Sequence, residues 1–203
     1  MDLLNLLGLG ALAYLLGSVP TGVWLGRGLL GRDIRAGGSG HSGGTNAVRQ
    51  GGWRFGVLVA ALDVTKGVLA AWLAVRWGVS PWTPAVATAA VVAGHCWPVF
   101  AGFRGGMGLS ALGGALLVVS PLAFVVGLGL AVAGTLLLRH SARGNAAAGV
   151  LFGPAAWLVT GSAVAALAAG GGGLVIALRS LSDWRRVYSE LWLDRKRGGS
   201  PNP

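Results

Sequence analysis

The stretch Asp33-Ile-Arg-Ala-Gly-Gly-Ser-Gly-His-Ser-Gly-Gly-Thr-Asn-Ala-Val-Arg49 is a polar, glycine-dense segment set between two apolar runs. Gly37, Gly38, Gly40, Gly43 and Gly44 precede Thr45 and Asn46, and Arg49 closes the segment. A backbone this free can turn its N–H groups inward, with hydroxyls, an amide and a guanidinium beside it. That combination suits a phosphate. The flanking runs decide what kind of protein carries the loop. Residues 3–26 and 55–77 are each long enough to cross a bilayer, for which roughly 20 helical residues suffice.

Composition agrees. Of 203 residues 54% are hydrophobic and only 11% charged, with a mean hydropathy of +0.68, which is too apolar for a soluble domain of this size. The expected fold is an all-α integral membrane protein. Sixteen Lys and Arg stand against six Asp and Glu, and the net charge of +10 reports basic cytoplasmic loops. The basic residues are scattered between apolar spans and form no continuous stripe, so nucleic acid is not an expected partner. The lone Cys96 excludes an internal disulfide and a multi-cysteine metal site. Met1-Asp-Leu-Leu-Asn5 lacks the basic start of a signal peptide, so the first run is expected to be retained as a span.

Topology follows from charge. Arginines 27, 32, 35, 49 and 54 place the segment from Arg27 to Arg54 in the cytoplasm, with the N-terminus outside. Gly22 and Gly26 are spaced for close approach by another helix, and Pro20 can kink the first span. Further spans are expected over 85–101, 109–119 and 122–138, with turns at Pro81-Trp-Thr-Pro84 and Ser120-Pro121. Residues 145–178 are too long for one crossing. Two crossings, broken at Gly161-Ser162 or within Gly170 to Gly173, bring the total to seven and keep the basic tail inside. All of the 16 basic residues except Lys66 and Arg76 are then cytoplasmic. The chain reads as one transmembrane domain over 1–197, with an amphipathic helix after Leu178 and a disordered end at 198–203.

Asp63 and Lys66 lie three apart on one helical face, and charges at that depth pair or face a polar cavity. Phe103-Arg-Gly-Gly-Met-Gly108 forms a second glycine-rich loop carrying Arg104, close to His95. The segment Gly38–Thr45 approaches a P-loop, but Gly44 stands where the lysine belongs. Ser39 lacks the context of a nucleophile elbow, since His41 occupies the final glycine position. No acidic cluster accompanies His41 and His95, so neither a metal nor a cofactor is expected. Two glycine-rich loops with arginines over a buried ion pair, inside an apolar bundle, suit an amphiphile with a phosphate head.

Gly17-Ser-Val-Pro-Thr-Gly22, Asp33-Ile-Arg35, Gly-Ser-Gly-x-x-Gly-x-Thr-Asn-x-x-Arg over 38–49, Asp63-x-x-Lys66-Gly67, Gly94-His-x-x-Pro-Val-Phe100 and Phe-Arg-Gly-Gly-x-Gly over 103–108 occur in order. The chain resembles the bacterial acyl-phosphate:glycerol-3-phosphate acyltransferases (PlsY). The resemblance implies a seven-span enzyme of the bacterial inner membrane with a cytoplasmic active site. Such an enzyme moves an acyl group from acyl phosphate to the first hydroxyl of glycerol 3-phosphate, among membrane lipids and without a cofactor. It implies catalytic roles for Ser39 and Arg49, and substrate contacts for Gly38, Gly40, Thr45, Asn46, His95, Arg104, Gly105, Gly106 and Gly108, with Asp63 and Lys66 in support.

Several positions depart from the family pattern. Met107 replaces a lysine, His41 an asparagine, and Ala142 and Asn145 stand at serine positions. Ser180 and Asp183 replace a histidine and an asparagine, while Arg179 and Arg186 remain and Glu190 falls short of the family glutamate's place. Beside the acyltransferase, a non-catalytic homologue that binds acyl phosphate or phospholipid, and a small transporter built on broken helices, fit the same loops.

Overall fold

In the computed structural model, residues 2–186 are described; of the amphipathic helix expected after Leu178, residues 179–181 instead continue the last membrane helix and 182–185 form turns, while the stretch beyond Arg186 and the 198–203 end lie outside the described residues. The described residues form eight α-helices joined by short segments. Five helical stretches are long and apolar enough to cross a membrane: 2–30, 44–77, 83–101, 121–138 and 163–181. The chain is an all-α integral membrane protein.

The first stretch is two helices, α1 (Asp2–Ser18) and α2 (Thr21–Leu30). The break falls at Val19-Pro20, because proline has no N–H to continue the ladder and disfavours helix in the residue before it. Helix α3 (Gly44–Trp77) starts eleven residues before the expected start of the span at residue 55. Gly52 (φ 80°, ψ 178°) explains the difference by kinking the helix just before the apolar run. Arg32 donates to the Gln50 carbonyl at that kink (2.8 Å), satisfying an acceptor beside the break. Thr45, Asn46 and Arg49 therefore ride on a helix and not on a loop.

The remaining elements are α4 (Thr83–Cys96), α5 (Leu109–Val119), α6 (Pro121–Leu138), α7 (Ser141–Thr160) and α8 (Ala163–Leu181). Of the two breaks allowed between the last spans, Gly161-Ser162 is used: Gly161 closes α7 in the left-handed conformation and the Ser162 hydroxyl caps α8. Helix α5 has 11 residues and, at 1.5 Å per residue, is about 16 Å long, near half of a hydrocarbon core.

Lipid is as apolar as a leucine face, so helix association in a membrane relies on close backbone approach. Reciprocal glycines make the crossings. A Cβ on Gly17 would lie 2.2 Å from the Val91 carbonyl, and one on Gly94 2.1 Å from that of Tyr14, which seats α1 on α4. Gly67 with Gly114 does the same for α3 and α5, and Gly149 with Gly173 for α7 and α8. Gly22 and Gly26 behave otherwise. Their Cβ positions meet Ser42 and Arg32 carbonyls and the Ile34 side chain, so their close partner is the polar loop rather than a helix.

Candidate active site

Asn46 organises the first loop. Its amide donates to the carbonyls of Ile34 (2.9 Å) and His41 (2.8 Å) and accepts from the Ser39 N–H (2.8 Å), and the residue is only 1% exposed. Gly38 lies at φ 58°, where a Cβ would fall 2.3 Å from the Asn46 amide oxygen. Asp33 and Arg35 then join the loops. Arg35 pairs with Asp33 (2.8 Å) and donates to the carbonyls of Ala101 (2.8 Å), just before the second loop, and Arg104 (2.9 Å), within it. The Arg35 side-chain bond holds the Asp33 carboxyl down at about 2 against partial burial, with Arg27 adding to the pull.

The second loop spends its donors internally. Gly105 N–H donates to the Cys96 carbonyl (3.2 Å) and Gly106 N–H to that of His95 (3.0 Å), while Ser42 N–H reaches Gly105 (3.5 Å). These two loop amides, and that of Ser39, do not form the inward anion nest that glycine density suggests.

A cavity of about 510 Å³ lies where these elements meet. Its polar wall carries Ser39, His41, Thr45, Arg49, His95 and Asp183, and its apolar wall includes Val57, Ala60 and Leu109. Gly44 and Thr45 are the first residues of α3, Leu109 and Ser110 of α5, and Ser141 and Ala142 of α7; all six line the cavity. Three helix amino-termini thus converge on one space. Each brings the positive end of its macrodipole, about half a charge, and at α7 the His140 Nδ1 accepts from the Arg143 N–H (3.4 Å). Arg49 adds a guanidinium, the only Lys or Arg among the described lining residues.

Of the expected site residues, Ser39, Thr45, Asn46, Arg49, His95 and Gly108 line this cavity. Gly38, Gly40, Gly105 and Gly106 do not, and Arg104 is exposed away from it. Asp63 and Lys66 form the expected pair at 2.9 Å, and the same carboxylate oxygen accepts from the Thr21 hydroxyl (2.7 Å) and faces His95 Nδ1 at 3.5 Å. Sequence reasoning missed two features. The amino-terminus of α7 enters the site with no glycine signal to announce it. His41 and Asp183, two separate departures from the family pattern, meet at 3.0 Å and are both buried, tying the end of α8 to the first loop.

Fold and cavity together define a multi-pass helical membrane protein whose polar site is polarised by helix amino-termini. A family model described as glycerol-3-phosphate acyltransferase matches residues 7–190. The curated glycerol-3-phosphate acyltransferase of Chlorobium limicola is 38% identical over 161 residues, covering 74% of this chain and 68% of that protein. That of Anaeromyxobacter dehalogenans is 48% identical over 138 residues, covering 65% and 68%. The crystal structure of PlsY (YgiH), an integral membrane glycerol 3-phosphate acyltransferase, in its glycerol 3-phosphate form superposes with a TM-score of 0.77 at 32% identity, covering 89% of this chain and 90% of that one. Its lysophosphatidic acid form gives 0.75 at 29%. The chain belongs to the glycerol-3-phosphate acyltransferase family.

Proposed function

We propose that the protein transfers a fatty acyl group from acyl phosphate to the first hydroxyl of glycerol 3-phosphate, releasing phosphate and lysophosphatidate. It does so in a bacterial inner membrane, crossing it seven times with the cavity open to the cytoplasm. The convergence of three helix amino-termini on Arg49 carries this reading. Three half-charges and a guanidinium supply the positive field that two phosphates require, and they supply it where Met107 has removed a lysine. Acyl phosphate is already activated, so positioning and charge stabilisation suffice. Ser39, Thr45 and Arg49 hold the phosphates, Asn46 fixes the loop that presents them, and Gly108 opens the start of α5. Asp63 and Lys66 support the site from below.

The donor's chain follows the apolar wall. Leu109 lines both the cavity and an adjoining apolar groove of about 100 Å³ bounded by Leu116, Phe124, Gly127 and Phe152. Because α5 is short, that groove runs into the membrane from the site. A Gly127→Leu variant is expected to keep turnover of short-chain acyl phosphates and lose long ones.

The test is purified protein in liposomes, supplied with acyl phosphate and glycerol 3-phosphate. Equimolar lysophosphatidate and phosphate are expected. Binding of acyl phosphate with no product would sink the catalytic reading and leave a binding protein.

A further inference from the structure

We propose that His41 is the counter-charge that lets a substrate phosphate share the cavity with Asp183, and so sets the affinity for glycerol 3-phosphate; the inference rests on the reading of that cavity given above. Asp183 is the one carboxylate among the described residues that line the cavity. It stands just past the end of α8 and is 4% exposed. A carboxylate in a space that has to hold phosphate repels the ligand, and a buried charge without a counter-charge is costly in any case.

His41 meets that charge. Its Nε2 lies 3.0 Å from Asp183 Oδ2, and its ring is buried in the same wall. The contacts of the other oxygen, Oδ1, are looser. The Ser182 hydroxyl donates to it at 3.4 Å, and the Arg186 guanidinium stands at 3.9 Å with half of its side chain exposed. An exposed cation at that distance is screened by water and compensates little. The first loop keeps the histidine in place: Asn46 donates to the His41 carbonyl at 2.8 Å, and Gly40, at φ 70°, leaves room for the Arg186 guanidinium 3.5 Å from where a Cβ would stand.

The charge of the pair depends on one proton. With an imidazolium the pair is neutral; with neutral imidazole it carries one negative charge into the wall. The other charged and titratable groups around it are Arg49 from α3, His95 from α4 and Arg186 beyond α8. Phosphate binding is therefore linked to the proton on His41, and each favours the other. A mere tie between α8 and the loop behaves differently, because losing either partner breaks it equally.

The experiment measures the glycerol 3-phosphate Kd by calorimetry from pH 5.5 to 8.5 for the wild type, His41→Asn, Asp183→Asn and the double variant in detergent, with melting curves and liposome kcat alongside. At the acid end His41→Asn is expected to weaken binding about tenfold or more, since it leaves a carboxylate facing the phosphate without its imidazolium. Asp183→Asn removes the repelling charge and is expected to bind at least as tightly as the wild type. The double variant should return to within threefold of Asp183→Asn. As pH rises, wild-type affinity is expected to fall about tenfold relative to Asp183→Asn, a comparison that subtracts the ligand's own ionisation. If His41→Asn loses its melting transition, His41→Gln takes its place. A His41 variant within threefold of wild type, an Asp183→Asn variant as weak as it, or a wild type that follows the pH course of Asp183→Asn overturns the counter-charge. The expected binding pattern without wild-type product overturns acyl transfer and leaves the counter-charge standing; no glycerol 3-phosphate binding in the wild type overturns both.

Discussion

The two glycine-rich segments look alike in sequence and do different work. The first, around Ser39 and His41, lines the cavity and leads into the helix that carries Thr45 and Arg49. The second folds its amides back on the end of α4, leaves Arg104 exposed, and reaches the cavity through Met107 and Gly108 alone. Glycine density therefore marks where backbone or ring approaches closely. It does not by itself mark where a ligand sits. In the proposed reading, ligand donors lie where helices begin.

The two arginines break this comparison most sharply. Arg49→Ala is expected to reduce kcat/KM about 10- to 150-fold, since a charge-assisted contact in a cavity is worth about 1.5–3 kcal/mol and no other Lys or Arg stands among the described lining residues. Arg104→Ala should stay within threefold of wild type. The same liposome assay reads both.

Next come the glycines. Gly106→Ala places a methyl on the His95 ring, which Asp63 holds, and is expected to cost activity roughly tenfold or more together with stability, on the scale of overpacking at about 1–3 kcal/mol. Gly43→Ala meets only ordinary contact at 3.9 Å and should change turnover by a few-fold at most. Asn46→Ala removes the bonds that shape the first loop and is expected to destabilise the protein by about 2–3 kcal/mol in thermal or denaturant unfolding.

Met107→Lys sharpens the comparison from the other side. It returns a cation to the one second-loop side chain at the cavity, and a gain of about 1.4 kcal/mol would lower the glycerol 3-phosphate KM about tenfold. Asp33→Asn is the smallest effect. The Asp33 carboxyl sits at about 2 in the folded protein, so its pairing with Arg35 stabilises above the ordinary carboxylate range and fades as pH falls toward 2. The variant should melt about 2–4 °C lower at pH 7, with the gap closing in acid.

Much of this was legible in the sequence. Apolar runs, arginine placement and the Asp63–Lys66 spacing each reflect a local rule, and the helices, the break at Gly161-Ser162 and the ion pair follow them. The start of α3 was not legible, because a run of glycines reads as loop until Asn46 is seen to gather the carbonyls beneath it. Neither was the union of His41 with Asp183, which are far apart in the chain and joined only by packing of α8. The α7 amino-terminus carries no composition signal, since its contribution is backbone direction.

The central claim is that substrates meet at the cavity where α3, α5 and α7 begin. Cys96 is fully buried, so a Met107→Cys variant offers a reporter at the cavity wall against a quiet background. Alkylation of that cysteine is expected to be fast in the free protein and slowed about tenfold or more by glycerol 3-phosphate or acyl phosphate at saturating concentrations, on the arithmetic of site occupancy. Unchanged alkylation under both ligands, in protein that turns over normally, would place the reaction elsewhere and contradict the account.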